Sequence, residues 1–138
     1  MSKFPQRDAA AYKFQEVQYE KREWVARITI QRPQAYNAYS TSALQELTAA
    51  FQDASWDDRI SVVVFTGTGD RAFCTGGDVK EYQANYTQKP RDYWKYMCCF
   101  KQYIESIMNC SKPVIARLNG MAVGGGHESQ LACDLGVM

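Results

Sequence analysis

Between Trp24 and Ile30 apolar and polar positions alternate. Ala26, Ile28 and Ile30 fall on one face and Val25, Arg27 and Thr29 on the other, the period of a half-buried strand. Phe14 to Tyr19 reads as a second strand, joined to the first through the charged turn Glu20-Lys21-Arg22-Glu23, so a hairpin is predicted. From Thr41 to Ser55 the period changes. Leu44, Leu47, Phe51 and Ala54 recur at spacings of three and four, one face of a helix, with Ser40, Thr41 and Ser42 as candidate N-caps. Ser61 to Thr66 is a β-branched apolar run with no alternation, as in a strand covered on both faces.

The glycine-rich stretch Gly67 to Gly77 follows, read as a loop. A helix is predicted from Asp78 to about Tyr86. A longer one runs from Pro90 to Asn109, with Tyr93, Met97, Phe100, Ile104 and Ile107 as its apolar stripe. Lys112 to Leu118 reads as a strand and Asn119-Gly120 as a turn. Gly124-Gly125-Gly126 leads into a helix through Ala132, and a last strand starts at Leu135. The order β-β-α-β-α-α-β-α-β predicts an α/β domain over residues 14–138 with parallel crossovers. Residues 1–13 read as a loose lead-in.

Composition narrows the class. A chain of 138 residues is one domain's worth. The net charge of +1 comes from interleaved acids and bases, without the basic stripe of a nucleic-acid binder. No apolar run approaches the ~20 residues of a membrane span, and Met1 to Arg7 is polar, unlike a signal peptide. A soluble, cytoplasmic protein is expected. The five cysteines are odd in number and form no CxxC pair, and His127 is the only histidine. Reduced thiols are expected, with neither a disulfide framework nor a metal site.

One arrangement occurs twice: a buried strand ends, a glycine-rich loop follows, and a helix starts. It spans Phe65 to Asp78 and again Arg117 to Glu128. In parallel α/β structures ligands sit where strands end and helices begin. Glycine lets the backbone approach a ligand, and the first N–H groups of a helix are unpaired. Two such loops side by side suit an oxyanion hole. They suit tight strand-to-helix turns equally well, and spacing alone does not decide between the two. A phosphate loop is disfavoured, because neither GxxxxGK[ST] nor GxGxxG is present.

Three segments carry a resemblance. Arg71-Ala72-Phe73-Cys74-Thr75-Gly76-Gly77-Asp78-Val79-Lys80 resembles the first signature of the crotonase (enoyl-CoA hydratase/isomerase) superfamily. Lys112 to Gly120, followed by Gly124-Gly125-Gly126-His127-Glu128 and Ala132-Cys133-Asp134, resembles the second. Arg32-Pro33 with Asn37-Ala38 matches an early element. The resemblance implies a crotonase-like spiral of ββα turns and an acyl-CoA thioester substrate, with coenzyme A entering as part of that substrate. It implies no metal, redox cofactor or covalent nucleophile; Cys74 reads as a small filler beneath its loop. By the same resemblance the backbone N–H groups of Gly77 and Gly125 form the oxyanion hole, and Glu128 is a catalytic acid/base. Gln34, Ala35, Tyr36 and Ala38 lie near the CoA chain, and Cys74, Thr75, Gly76, Asp78 and Val79 line the substrate, with His127 a further candidate contact. Glu128 also reads simply as a carboxylate favoured by a helix N-terminus.

Further segments resemble one branch of that superfamily, the ring-opening 6-oxocyclohex-1-ene-1-carbonyl-CoA hydrolases of anaerobic aromatic degradation. These are Ala35 to Tyr39, Phe73 to Gly77, Lys80-Glu81-Tyr82, Pro90 with Tyr93, Tyr96-Met97 and Phe100, and Asn119-Gly120-Met121. Tyr82, Tyr86, Tyr93, Trp94 and Tyr96 could then wall an alicyclic pocket, or serve as core. The chain ends at Met138, where such relatives run roughly twice as long. It is therefore expected to be the N-terminal half of the domain, truncated before a second catalytic acid and before the helices that complete a homotrimer or hexamer. Two functions stay open: an acyl-CoA hydratase or hydrolase, and a catalytically incomplete CoA-binding or docking fragment.

Overall fold

The structure, a computed structural model, describes residues 2–138. It opens with β1 (Val17–Arg22) and β2 (Val25–Ile30), an antiparallel hairpin, followed by α1 (Thr41–Trp56). Next come β3 (Val62–Gly67), β4 (Ala72–Cys74), α2 (Val79–Asn85) and α3 (Pro90–Met108). The chain ends with β5 (Val114–Arg117), β6 (Met121–Ala122), α4 (Gly125–Leu131) and β7 (Leu135–Val137). The main sheet has the order β1-β2-β3-β5-β7, with every pair after the hairpin parallel. β4 and β6 form a separate two-stranded parallel sheet. The unit ββα therefore occurs three times, as the spiral expectation requires.

The predicted elements recur with two corrections. Gly67 to Gly77 is not all loop, because Ala72–Cys74 forms β4 and pairs with β6, a strand the sequence pattern does not predict just after the Asn119-Gly120 turn. The hairpin is also displaced toward the C-terminus. Its turn is Glu23-Trp24, both left-handed (φ 49° and 70°), the backbone that matches the twist of a two-residue hairpin. Gln15, Glu16 and Val17 give their N–H groups to the Glu46 carboxylate at 2.8–3.0 Å, so the chain before Val17 is tied to α1 by a side chain.

α1 buries Leu44, Leu47, Phe51 and Ala54 against the sheet, and Ser40 caps it by accepting from Ala43 N–H. Phe51 meets Phe65 of β3 edge to face at 5.2 Å, and Phe65 meets Phe73 of β4 at 5.0 Å. These rings join the two sheets through one core. On α3 the buried line is Tyr96, Tyr103 and Ile107, rotated from the predicted stripe; Tyr93, Met97, Phe100 and Ile104 flank it half-buried. Purely apolar periodicity missed this because two tyrosines carry the face. Residues 2–13 are not loose. Phe4 packs on Trp56, Tyr12 donates to Asp53, and Lys21 and Arg59 both donate to Arg7 O. No described helix is long and apolar enough to cross a membrane.

Candidate active site

The site is assembled from the segment before α1 and the two glycine bends. Residues 33–35 form a short 3-10 turn, after which Tyr36 and Asn37 take left-handed backbone (φ 50° and 54°). Asn37 is buried. Its amide donates to Thr68 O and Ala72 O, while its oxygen accepts from Arg32 N–H. The chain then extends, so that Tyr39 runs parallel to the first bend. Tyr39 N–H donates to Gly76 O (2.8 Å) and Asp78 N–H donates to Tyr39 O (2.9 Å). In such a parallel bridge the residues flanking Gly77 make both bonds, and the N–H of Gly77 itself points away from Tyr39.

The second bend lies directly against the first. β6 pairs with β4, and Val123 N–H continues the contact to Cys74 O at 3.2 Å. Gly124 turns the chain at φ 53°, and Gly125 is the first residue of α4. An N–H in that position has no partner inside its helix. A Cβ placed on Gly76 (φ 93°) would stand 3.0 Å from Gly125 N and 3.5 Å from Val123 O. A Cβ on Gly126 would collide with the Cys74 carbonyl. Only glycine permits this approach, which seats the start of α4 on the end of β4.

Charge fixes the first bend. Asp78 caps α2 by accepting from Lys80 and Glu81 N–H, and its other oxygen takes Arg32 Nη2 at 2.8 Å. Burial works against the Asp78 carboxylate, but Arg32 and the two backbone donors outweigh it and hold its pKa below the usual range. Arg32 also bonds Ala38 O and pairs with Glu16. Glu81 accepts from Thr41 N–H at the start of α1. Glu128 sits in the first turn of α4 with its side chain exposed, within electrostatic reach of Tyr39.

The other anticipated residues divide into two groups. Thr75 Oγ1 donates to Tyr36 O at 3.1 Å, which joins the loop of Gln34, Ala35 and Tyr36 to the first bend. Gln34, Tyr36, Val79 and His127 expose their side chains. Cys74 and Ala38 lie beneath the surface, so Cys74 offers a ligand no surface of its own. Burial pushes its thiol up to about 12, against a smaller opposing effect of the Gly76 N–H. In the aromatic stripe Tyr96 stacks on Tyr86 and Tyr93, and Tyr82 meets Tyr86 and Tyr93 edge to face, whereas Trp94 is exposed beside Arg91. Among the described residues no three His, Cys, Asp or Glu side chains gather as metal ligands.

Tyr96, read from the sequence as pocket wall or core, and Tyr39, read only as part of the Ala35 to Tyr39 resemblance, both lie against the glycine bends. A Cβ on Gly125 would collide with the Tyr39 hydroxyl, and one on Gly77 would collide with the Tyr96 hydroxyl. Tyr39 follows the Asn37-Ala38 element directly, and that adjacency was the available signal.

The sequence pattern of the enoyl-CoA hydratase/isomerase family matches residues 20–138. The chain belongs to that family. Its crotonase-type fold is shared with solved family members. It superposes on an enoyl-CoA hydratase from Bacillus anthracis with a TM-score of 0.82 at 30% identity, covering 88% of this chain and 46% of that one. An enoyl-CoA hydratase/carnithine racemase from Magnetospirillum magneticum gives 0.83 at 30% identity, covering 88% and 45%. Among curated relatives, 6-oxocyclohex-1-ene-1-carbonyl-CoA hydrolases from Geobacter metallireducens and Syntrophus aciditrophicus are 44% and 46% identical over 110 residues. Those alignments cover 80% of this chain and 29% of each relative. The chain thus spans under a third of these curated relatives and about half of the solved ones.

Proposed function

We propose that this enoyl-CoA hydratase/isomerase family chain carries the thioester-binding part of an acyl-CoA hydratase or hydrolase. The observation that carries the reading is the contact between the two bends. The Gly77 N–H is turned out of its bridge and the Gly125 N–H opens α4. In this reading both donate to one thioester oxygen, and such donors lower a barrier most when charge develops on that oxygen. Glu128, one turn into the same helix, is the acid/base. Asp78 and Glu81 are committed to capping and to Arg32, which leaves Glu128 to move a proton between water and the enoyl carbon. The names of the curated relatives support a ring-bearing enoyl thioester as the substrate.

One observation favours a second reading, a CoA-binding module without turnover. Of the carboxylates at the bends, Glu128 alone has no structural partner, whereas hydration of an enoyl thioester is helped by a second acid. Both readings meet one experiment. Cyclohex-1-ene-1-carbonyl-CoA is added and the absorbance of its conjugated thioester is followed, with binding measured by calorimetry. Loss of absorbance that falls by ~10²–10⁴ in Glu128→Gln supports the hydratase. Binding without absorbance change supports the module. Absence of both binding and turnover removes the acyl-CoA reading.

A further inference from the structure

Tyr39 and Tyr96 present their hydroxyls to the two glycines proposed to hold the thioester. The Tyr39 hydroxyl lies against Gly125 and the Tyr96 hydroxyl against Gly77, and the edge of the Tyr39 ring (Cε2) would stand 3.6 Å from a Gly77 Cβ. The two phenols therefore pack against the two glycines whose amides are proposed as donors.

Neither hydroxyl is used by the protein. Tyr12 and Tyr19 bond Asp53, and Tyr86 bonds Thr41; among the described residues Tyr39 and Tyr96 have no comparable partner. Nor are they sealed in the core, as the unpartnered Tyr103 hydroxyl is. A largely buried hydroxyl normally finds a hydrogen-bond partner, and these two, unpaired against the glycine bends, are open to a ligand oxygen. Their orientation is set in advance. Tyr39 stacks on Phe100 at 5.5 Å and Tyr96 on Tyr86 at 5.1 Å. Both keep their protons at neutral pH. Burial first, then neighbouring acidic groups, pushes Tyr96 up to about 12 and Tyr39 higher still. They are donors, so the complementary group is an acceptor such as a ketone oxygen.

We propose that Tyr39 and Tyr96 are specificity-determining residues that hydrogen-bond a second oxygen on the acyl group, beside the thioester carbonyl. The 6-oxocyclohex-1-ene-1-carbonyl-CoA named by the curated relatives carries such a second oxygen. The assignment rests on the acyl-CoA reading and adds to it which side chains read the acyl ring.

The test compares two thioesters of the same shape, 6-oxocyclohex-1-ene-1-carbonyl-CoA and cyclohex-1-ene-1-carbonyl-CoA, by calorimetry on the intact chain. The unaltered protein should bind the oxo compound at least about tenfold more tightly, the effect of one hydrogen bond to an otherwise unpaired hydroxyl. Tyr39→Phe and Tyr96→Phe should each shrink that ratio toward one, with the loss falling on the oxo compound. Equal affinity of the unaltered protein for both thioesters overturns the proposal and leaves the acyl-CoA reading standing. A ratio kept intact in both variants also overturns it, and assigns the phenols to filling space behind the glycines. Failure of the unaltered protein to bind either thioester removes the acyl-CoA reading and this inference with it.

Discussion

The side-chain amides of Asn37 and Asn119 donate to the same carbonyl oxygen, that of Ala72, at 2.7 and 2.9 Å. The two residues come from different loops, and each makes other bonds to the same stretch. Asn37 also reaches Thr68 O, and Asn119 reaches Gly69 O while accepting from Gly67 N–H. Between them they fold the chain from Gly67 into β4, and β4 carries the first glycine bend. The asparagines thus set where Gly77 lies without touching it.

Removing either amide leaves loop carbonyls short of a donor. Asn119→Ala should cost about 1–3 kcal/mol. Asn37→Ala should cost roughly 1 kcal/mol more, because alanine is strained at the left-handed backbone of that position. Since either amide alone still serves Ala72 O and only the double variant leaves that oxygen unpaired, the double variant should lose more than the two single losses added together. Urea denaturation of the four proteins measures this, and strict additivity would contradict a shared role.

Glycine substitutions separate contact from freedom. Gly126→Ala drives a methyl into the Cys74 carbonyl, a backbone group that cannot turn aside. It should cost about 1–3 kcal/mol or more, as overpacking does. Gly136→Ala meets only the Gln130 side chain, with Nε2 at 3.3 Å, and should stay within about 0.5 kcal/mol of the parent. Thermal melts of the two variants side by side give the answer. Equal stability would mean that α4 is not seated on β4.

The longer elements were legible because their residues obey one period over enough length. α1 shows this in Leu44, Leu47 and Phe51, and β3 in its unbroken apolar run. β4 and β6 were not legible. Three residues and two residues carry no period, and their pairing joins positions about fifty residues apart. The hairpin register was hidden for another reason: Glu23 and Trp24 are not the residue types that usually adopt left-handed backbone. At the site, the glycine bends, and the position of Glu128 in the first turn of a helix, were legible from their motifs. The contact between the bends was not, because it depends on Gly76 meeting Val123 and Gly125, and Gly126 meeting Cys74, in space. For Tyr96 the sequence left pocket wall and core both open, and for Tyr39 it gave no role, because neither shows where its hydroxyl lies until the glycine bends are placed beside it.

Acid should weaken one identifiable cluster. Asp57 is buried and accepts from Arg59 and Lys21, while Lys21 also pairs with Asp53. The Arg59 bonds lead in holding the Asp57 pKa far below the normal carboxylate value; burial opposes them, and Lys21 adds to them. A depressed carboxylate stabilises the fold above its unfolded pKa, about 3.9. That contribution is lost as pH falls from there toward the folded value. Asp57→Asn should therefore be less stable than the parent at pH 7, and the gap should narrow steadily below about pH 4. Urea midpoints of both proteins from pH 7 down to pH 2 measure it; a gap that stays constant across that range would assign Asp57 a packing role only.

The thiol beneath the first bend should be silent in the native state. Cys74 is fully buried, and Gly126 lies directly on its backbone. With its pKa pushed up to about 12, roughly 10⁻⁴ of it is thiolate at pH 8, and the thiolate is the form that reacts. Cys133, raised by burial and by Asp134 to about 12, should be similarly slow. Cys98 and Cys99 are only half-buried on α3 and should be alkylated first. Iodoacetamide labelling mapped by mass spectrometry, in buffer and then in rising urea, orders the sites. Cys74 should label only with the global unfolding transition, because exposing it requires lifting α4 off β4. If Cys74 labels in buffer as fast as Cys98, the bends separate readily, and the two glycine amides could not be held in place for a thioester.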